Sequence, residues 1–240
     1  YKPIFQNIPY PLSSLNQDVV DIWEFSTHTL PKDFKSILSA DEIERANRFH
    51  FPIHRTRHLS AHTLVRKILS LYLNKPPETI RFIKNKHGKP SIKNEKLIRF
   101  NLSHSKNLAL LAVNGIHEIG VDLEFFSARP YEGIGSHIFS TSENIALRNA
   151  PASLKPLGFF HLWAQKEALI KACGLGLSYP TKQLSLPLLP QTHDVFFDEI
   201  HQTKWKLLSY MPIPACMAAV CYHPSKNQIR YRKLQHVDMI

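Results

Sequence analysis

The chain has 240 residues, 43% of them hydrophobic and 20% charged, which excludes wholesale disorder and is long enough to bury a core as one large domain or two small ones. Thirty Lys and Arg against nineteen Asp and Glu leave a net charge of +11, so an anionic partner is expected: nucleic acid, a phosphorylated small molecule, an acidic protein or a membrane surface. The longest clean aliphatic stretch, Leu108 to Val113, is far short of a membrane span, no secretory signal pattern opens the chain, and three cysteines without C-x-x-C argue against a zinc framework or a disulfide scaffold.

In chain order, Asp18 to Phe25 reads as a strand. Ser39-Ala-Asp-Glu42 is a capping box that opens a helix running to about Phe49. Pro52 is expected to interrupt it, with a second helix from about Arg55 to Leu73, stopped by Pro76-Pro77. Ile80 to Ile83 reads as a strand, Gly88-Lys89-Pro90 as a turn and Leu108 to Val113 as a buried strand. Asn114-Gly115 is a turn before another strand, Ile119 to Glu124. In the second half Ser140-Thr-Ser-Glu143 is another capping box. Phe159 to Cys173 predicts a helix ended by Gly174 and Gly176. Leu184 to Leu188, Val195 to Ile200, Trp205 to Tyr210 and Met217 to Tyr222 read as strands. Cys216 and Cys221, in an apolar run, are expected to pack as small hydrophobes. Helices precede an apolar strand in each half, so a duplicated α+β unit is plausible.

The positive charge is uneven. Residues 1–117 hold 18 basic and 9 acidic groups (18 − 9 = +9), and residues 118–240 hold 12 and 10 (12 − 10 = +2). Directly after the basic half come Glu118, Asp122 and Glu124. Residues i and i+2 of a strand share a face, so Asp122 and Glu124 are paired hard-oxygen donors of the kind that hold Mg²⁺ together with phosphate oxygens, although a solvated strand end looks the same. On the predicted helix Glu167 and Lys171 are i,i+4 neighbours, which suits a metal and the phosphate it binds, or an ordinary surface ion pair. Trp163 is expected in the core. Ser103 and His104, in Phe100-Asn-Leu-Ser-His-Ser105, cannot form a nucleophile–base pair as sequence neighbours, and no G-x-S-x-G elbow is present; a loop presenting both to phosphate fits better. In Lys84-Asn-Lys86-His-Gly88-Lys89-Pro90, Gly88 permits close backbone approach to a ligand and Pro90 stiffens the turn that presents Lys89. His50, His54, His58 and His62 recur every four residues, but Pro52 and the lack of an acidic co-ligand argue against a metal site there.

Taken together and in order, GKP, FNLSHS, IGVDLE and FHLWAQKEALIKACGLGL resemble the 4′-phosphopantetheinyl transferases of the Sfp type, from the basic helix near Arg45 to Tyr222. The resemblance implies an α+β fold of two similar, pseudo-twofold-related halves, here 1–117 and 118–240, with the site between them. It implies transfer of the phosphopantetheine arm of coenzyme A to a serine of an acidic acyl or peptidyl carrier protein, with release of 3′,5′-ADP. It implies Mg²⁺, or Mn²⁺, on Asp122, Glu124 and Glu167. Lys171 matches the lysine beside the phosphates. Gly88, Lys89 and Pro90, Ser103 and His104, Arg57 and Arg45, and more weakly Lys84, match coenzyme A contacts. Glu167 would accept the serine proton, with Lys171 offsetting charge. Glu143 matches a family glutamate, although capping alone would explain it. Glu42 stands where relatives can carry lysine, which weakens the match in that corner. A cytoplasmic monomer, with neither membrane nor nucleic acid as partner, is expected. A metal-dependent nuclease or phosphodiesterase, or a non-catalytic RNA-binding module, is the alternative.

Overall fold

The computed structural model describes residues 18–128, 130–189, 194–226 and 228–234. The elements are β1 (Val19–Ser26), α1 (Phe34–Ile37), α2 (Ala40–Asn47), α3 (Pro52–Leu73), β2 (Phe82–Lys84), β3 (Pro90–Ile92), β4 (Arg99–Ser105), β5 (Leu108–Asn114), β6 (Ile119–Phe125), α4 (Tyr131–Ile138), α5 (Thr141–Asn149), α6 (Lys155–Cys173), β7 (Asp194–Asp198), β8 (Thr203–Tyr210), β9 (Cys216–Tyr222) and β10 (Gln228–Lys233). It is a mixed α/β architecture.

Strand alternation builds the layers. One sheet has the order β10-β1-β5-β4, a second β6-β9-β8-β7, and β2 and β3 form a separate hairpin. Trp23, Phe25, Leu111 and Val113 point to one face of the first sheet and pack on Leu64, Ile68 and Leu69 of α3. The alternate residues Val20, Ile22, Leu110 and Ala112 meet Val121, Leu208, Ala218 and Val220 of the second sheet. On the far face of that sheet Met217, Ala219 and Cys221 pack on Leu162, Ala168, Leu169 and Ala172 of α6. The order across the molecule is therefore α3, sheet, sheet, α6, with the central strands β1, β5 and β9 feeding two cores through their period of two. Cys216 and Cys221 are buried free thiols. Trp163 stacks on Phe159 at the edge of the α6 core. The last strand, β10, pairs parallel with β1 and so joins the sheet built from the first half.

Several local expectations are corrected. Pro52 starts α3 instead of breaking a helix: it sits at the first helical position, where a missing N–H is harmless and a fixed φ helps. His54, His58 and His62 consequently share one helix. The segment FNLSHS is strand β4, not a loop, because it pairs in register with β5. The hairpin strand begins at Phe82, not Ile80, which follows a 3₁₀ turn. Helix α6 begins at Lys155, and β7 ends at Asp198.

Leu184 to Leu188 is not a strand. Its backbone groups are taken by side chains: the Lys166 ammonium donates to the Leu184 carbonyl, Gln165 to that of Pro187 (3.1 Å), and the Leu186 N–H donates to Glu143 (2.6 Å). An apolar run whose polar groups are satisfied this way needs no ladder. No helix among the described residues is long and apolar enough to cross a membrane.

Candidate active site

The site forms where the edge strand of each sheet meets the other. Asn101 on β4 accepts the Val121 N–H of β6 through its side-chain oxygen (2.9 Å), which locks the two edges together. Two residues further along the same face of β4, the Ser103 hydroxyl donates to Asp122 Oδ1 (3.1 Å). Helix α6 completes the arrangement: Lys171 Nζ donates to Asp122 Oδ1 (2.6 Å) and to Ser103 Oγ (3.1 Å).

Gly120 makes this possible. A Cβ there would lie 1.9 Å from the Ala168 carbonyl oxygen and 2.4 Å from the Ala172 nitrogen, so α6 rests directly on β6. Alternation then turns Gly120, Asp122 and Glu124 toward the helix, and Glu167, one turn before Lys171, faces the same strand. Burial first, and then the charge of Asp122, raise the Glu167 carboxyl above its ordinary range, with Lys171 opposing them. Asp122 is buried, and its Oδ2 has no hydrogen-bond partner among the described residues.

The first half contributes a cationic wall. His104 lies close to His62, Lys171 and Arg57. Burial, and then these three neighbours, hold its pKa below the ordinary value. His58 is pushed down to about 4 by burial and then by His62, Arg45 and His104, and the His58 and His62 rings are 4.2 Å apart. Arg57 is aimed by Nε donating to Asn107 (2.8 Å). Arg45 and Lys84 line one open groove of about 600 Å³ with Asp41, Glu44, Arg48 and Phe49. Glu42 is withdrawn from that wall. It accepts the Ser39 N–H (2.9 Å) and pairs with Arg66 (2.8 Å), so it is a framework carboxylate.

The GKP turn is held against the second half. Gly88 takes φ +89°, which only glycine adopts without strain. Asn85 accepts the N–H groups of His87 and Lys89 (both 2.9 Å) and donates to the Gly174 carbonyl (2.8 Å). Lys89 Nζ donates to the Ala172 carbonyl (2.8 Å), the Ile119 carbonyl (3.3 Å) and the Glu118 carboxylate. Lys89 and Pro90 line a cavity of about 240 Å³ at this seam, with Arg99, Glu118, Cys173 and Gly174. Glu143 is buried in its capping box and pairs with Lys166 (3.0 Å), so capping and this pair account for it.

Comparison with known proteins decides the family. The model described as 4′-phosphopantetheinyl transferase superfamily matches residues 118–215, and one described as 4′-phosphopantetheinyl transferase, N-terminal, matches residues 22–115. The 4′-phosphopantetheinyl transferase HetI of Nostoc sp. is 36% identical over 221 residues, covering 88% of this chain and 90% of the relative. The 4′-phosphopantetheinyl transferase Sfp of Bacillus subtilis is 30% identical over 201 residues, 80% of this chain and 85% of the relative. The chain belongs to the 4′-phosphopantetheinyl transferase superfamily.

Within this transferase the residues present fit a hard divalent cation: a buried Asp122 Oδ2 lacks a donor, and Glu167 stands against a like charge that a cation would relieve. Three contributors were not singled out from sequence. Asn101 lies in the FNLSHS motif, and its i,i+2 relation to Ser103 on one strand face was the available signal. Gly120 lies inside IGVDLE, where glycine in a strand signals close backbone approach. His62, beside His104, was visible only as one histidine of four.

Proposed function

We propose that this transferase moves the 4′-phosphopantetheine group of coenzyme A onto a serine of an acidic apo carrier protein and releases 3′,5′-ADP. The serine oxygen bonds to the phosphorus bearing the pantetheine arm, the bridging P–O bond of the diphosphate breaks, and the serine proton passes to Glu167, directly or through water. The carrying observation is the junction of three motifs on one carboxylate, with Lys171 and Ser103 on Asp122 Oδ1 and a buried Oδ2 left over. Asp122, Glu124 and Glu167 would hold Mg²⁺, or Mn²⁺. Bound there, the cation would neutralise diphosphate oxygens and stabilise charge on the leaving group.

Lys171 supplies a fixed positive charge beside these oxygens, and His104, its pKa lowered by burial and then by His62, Lys171 and Arg57, offers a ring N–H to the phosphates. Arg57, Arg45 and Lys84 offer guanidinium and ammonium groups to the 3′-phosphoadenosine end. Gly88, Lys89 and Pro90 shape the seam, with Lys89 acting from its protein-bound position. The remaining basic surface would steer an acidic carrier to the cleft. The two four-stranded sheets, each under one long helix, with β10 of the second half completing the first sheet, read as related by a pseudo-twofold axis, and we take the enzyme to act as a cytoplasmic monomer.

The test is incubation with coenzyme A, Mg²⁺ and an apo carrier protein, followed by intact-mass spectrometry. The carrier should gain one phosphopantetheine. An unchanged carrier mass across acyl and peptidyl carriers, with or without metal, would overturn the reading.

A further inference from the structure

The C-terminal end of α6 carries a second set of ligand atoms that the transfer chemistry leaves unused. Cys173 is the last residue of the helix, and its Sγ lies 3.6 Å from Asp198 Oδ2 at the end of β7. His201 Nδ1, in the β7–β8 turn, lies 2.7 Å from the same oxygen. One ligand atom from each of the three side chains falls within 4.8 Å of the others. Asp198 is aimed: its Oδ1 accepts the N–H groups of Ile200 (3.0 Å) and His201 (3.4 Å), which turns Oδ2 toward the thiol and the imidazole. A fourth donor stands beside them. The Tyr179 hydroxyl is buried next to Asp198 and Cys173. The Tyr179 ring stacks on His201 at 5.7 Å with a 2° interplanar angle.

We propose that Cys173, Asp198 and His201 form a Zn²⁺ site, with the Tyr179 hydroxyl or a water as fourth donor. The donor chemistry selects the metal. Thiolate, imidazole and carboxylate on one small centre suit Zn²⁺, whereas Mg²⁺ requires oxygen alone. The charges close: thiolate and carboxylate together offset the two positive charges, the thiol proton leaves to solvent as the metal enters, and the neutral His201 imidazole carries its one ring proton on Nε2 so that Nδ1 is free to bind. The three ligands come from the end of α6, the end of β7 and the turn that follows. A bound ion would therefore tie the helix that carries Glu167 and Lys171 to the β7–β8 hairpin. This site shares no residue with the Asp122 cluster and does not depend on the proposed transfer reaction.

Co²⁺ titration of metal-free protein tests it, because only a thiolate ligand yields near-ultraviolet sulfur-to-cobalt charge transfer; a Co²⁺ ion on the Asp122 carboxylates cannot. One equivalent should produce this absorption, and Zn²⁺ should abolish it. Cys173→Ser should remove the band, His201→Gln should weaken Co²⁺ binding at least about tenfold, and Cys221→Ser should leave the band intact. As a measurement on the unaltered protein, Zn²⁺ should protect Cys173 from alkylation, located by peptide mass mapping. No charge-transfer band in the unaltered protein, a band that survives Cys173→Ser, or unprotected Cys173 would overturn the site.

Discussion

Helix α6 sends two lysines, five residues apart, to two carboxylates, and their surroundings differ. The side chains of Lys166 and Glu143 are each 1% exposed, and every strong group has a partner: Glu143 takes the N–H groups of Ser140 and Leu186, and Lys166 takes two carbonyls. Lys171 is 28% exposed, Asp122 keeps an unpartnered buried oxygen, and Glu167 adds a second negative charge. The first pair is a finished clamp that pins the 184–188 strap to the helix. The second is an unfinished arrangement, whose residual electrostatic demand only a further cation and anion can meet. Completeness of hydrogen bonding, more than charge, separates the structural lysine from the functional one.

That contrast can be broken in order of effect. Gly120→Ala places a methyl inside the backbone of α6 and disturbs both lysines. Urea unfolding should show a loss of at least about 3 kcal/mol together with lost transfer. A cost under about 1 kcal/mol would mean that α6 does not rest on β6 as described.

Lys166→Met leaves the buried Glu143 carboxylate without its cation and should cost about 3–5 kcal/mol. Lys171→Met, at a partly exposed lysine, should cost less, about 1–2 kcal/mol in the same assay, while slowing transfer. Equal stability losses would erase the distinction. Glu167→Gln should slow turnover roughly ten- to thousand-fold, a loss of about 1.4–4 kcal/mol of transition-state stabilisation, without lowering the unfolding midpoint; near-normal turnover would remove Glu167 from the mechanism.

Glu42 extends the contrast to pH. Burial alone would raise its carboxyl, but hydrogen bonds from His62, Arg66 and the Ser39 N–H outweigh it and lower the pKa from 4.5 to about 2. A depressed folded-state pKa stabilises above the unfolded value, and that stability is lost as pH falls from 4.5 to about 2. Glu42→Gln should therefore cost about 2–3 kcal/mol at pH 7 and almost nothing near pH 2, read from unfolding midpoints across pH. A penalty independent of pH would refute the ionic role. Smallest of all, Arg57→Ala should raise the KM for coenzyme A roughly tenfold and that for 3′-dephospho-coenzyme A far less. Equal changes would remove Arg57 from the 3′-phosphate.

The legible parts of this chain were those with a local physical signature. Capping boxes at Ser39 and Ser140, the apolar strands around Leu110 and Val220, and the same-face geometry of Asp122 and Glu124 depend on neighbours a few residues away. The 184–188 segment was misread because its apolar pattern is that of a strand, while its hydrogen bonds come from side chains of α5 and α6. Strand β10 was unreadable for a related reason: its arginines pair with Asp21 and its Lys233 with Glu24, some two hundred residues earlier. In the site, residue types were readable from motifs, but the role of Asn101 in joining two sheet edges was not.

The parallel pairing of β10 with β1 has a consequence for synthesis. Asp21 is fully buried, and its two guanidinium partners, Arg230 and Arg232, arrive only with residues 228–233. Until the ribosome has made that stretch, the first sheet carries an open edge and a carboxylate supported by the Tyr72 hydroxyl without its cationic partners. The half that is translated first is thus completed last, and a pulse-labelled nascent chain should acquire protease resistance in residues 19–113 only after residue 233 has left the exit tunnel.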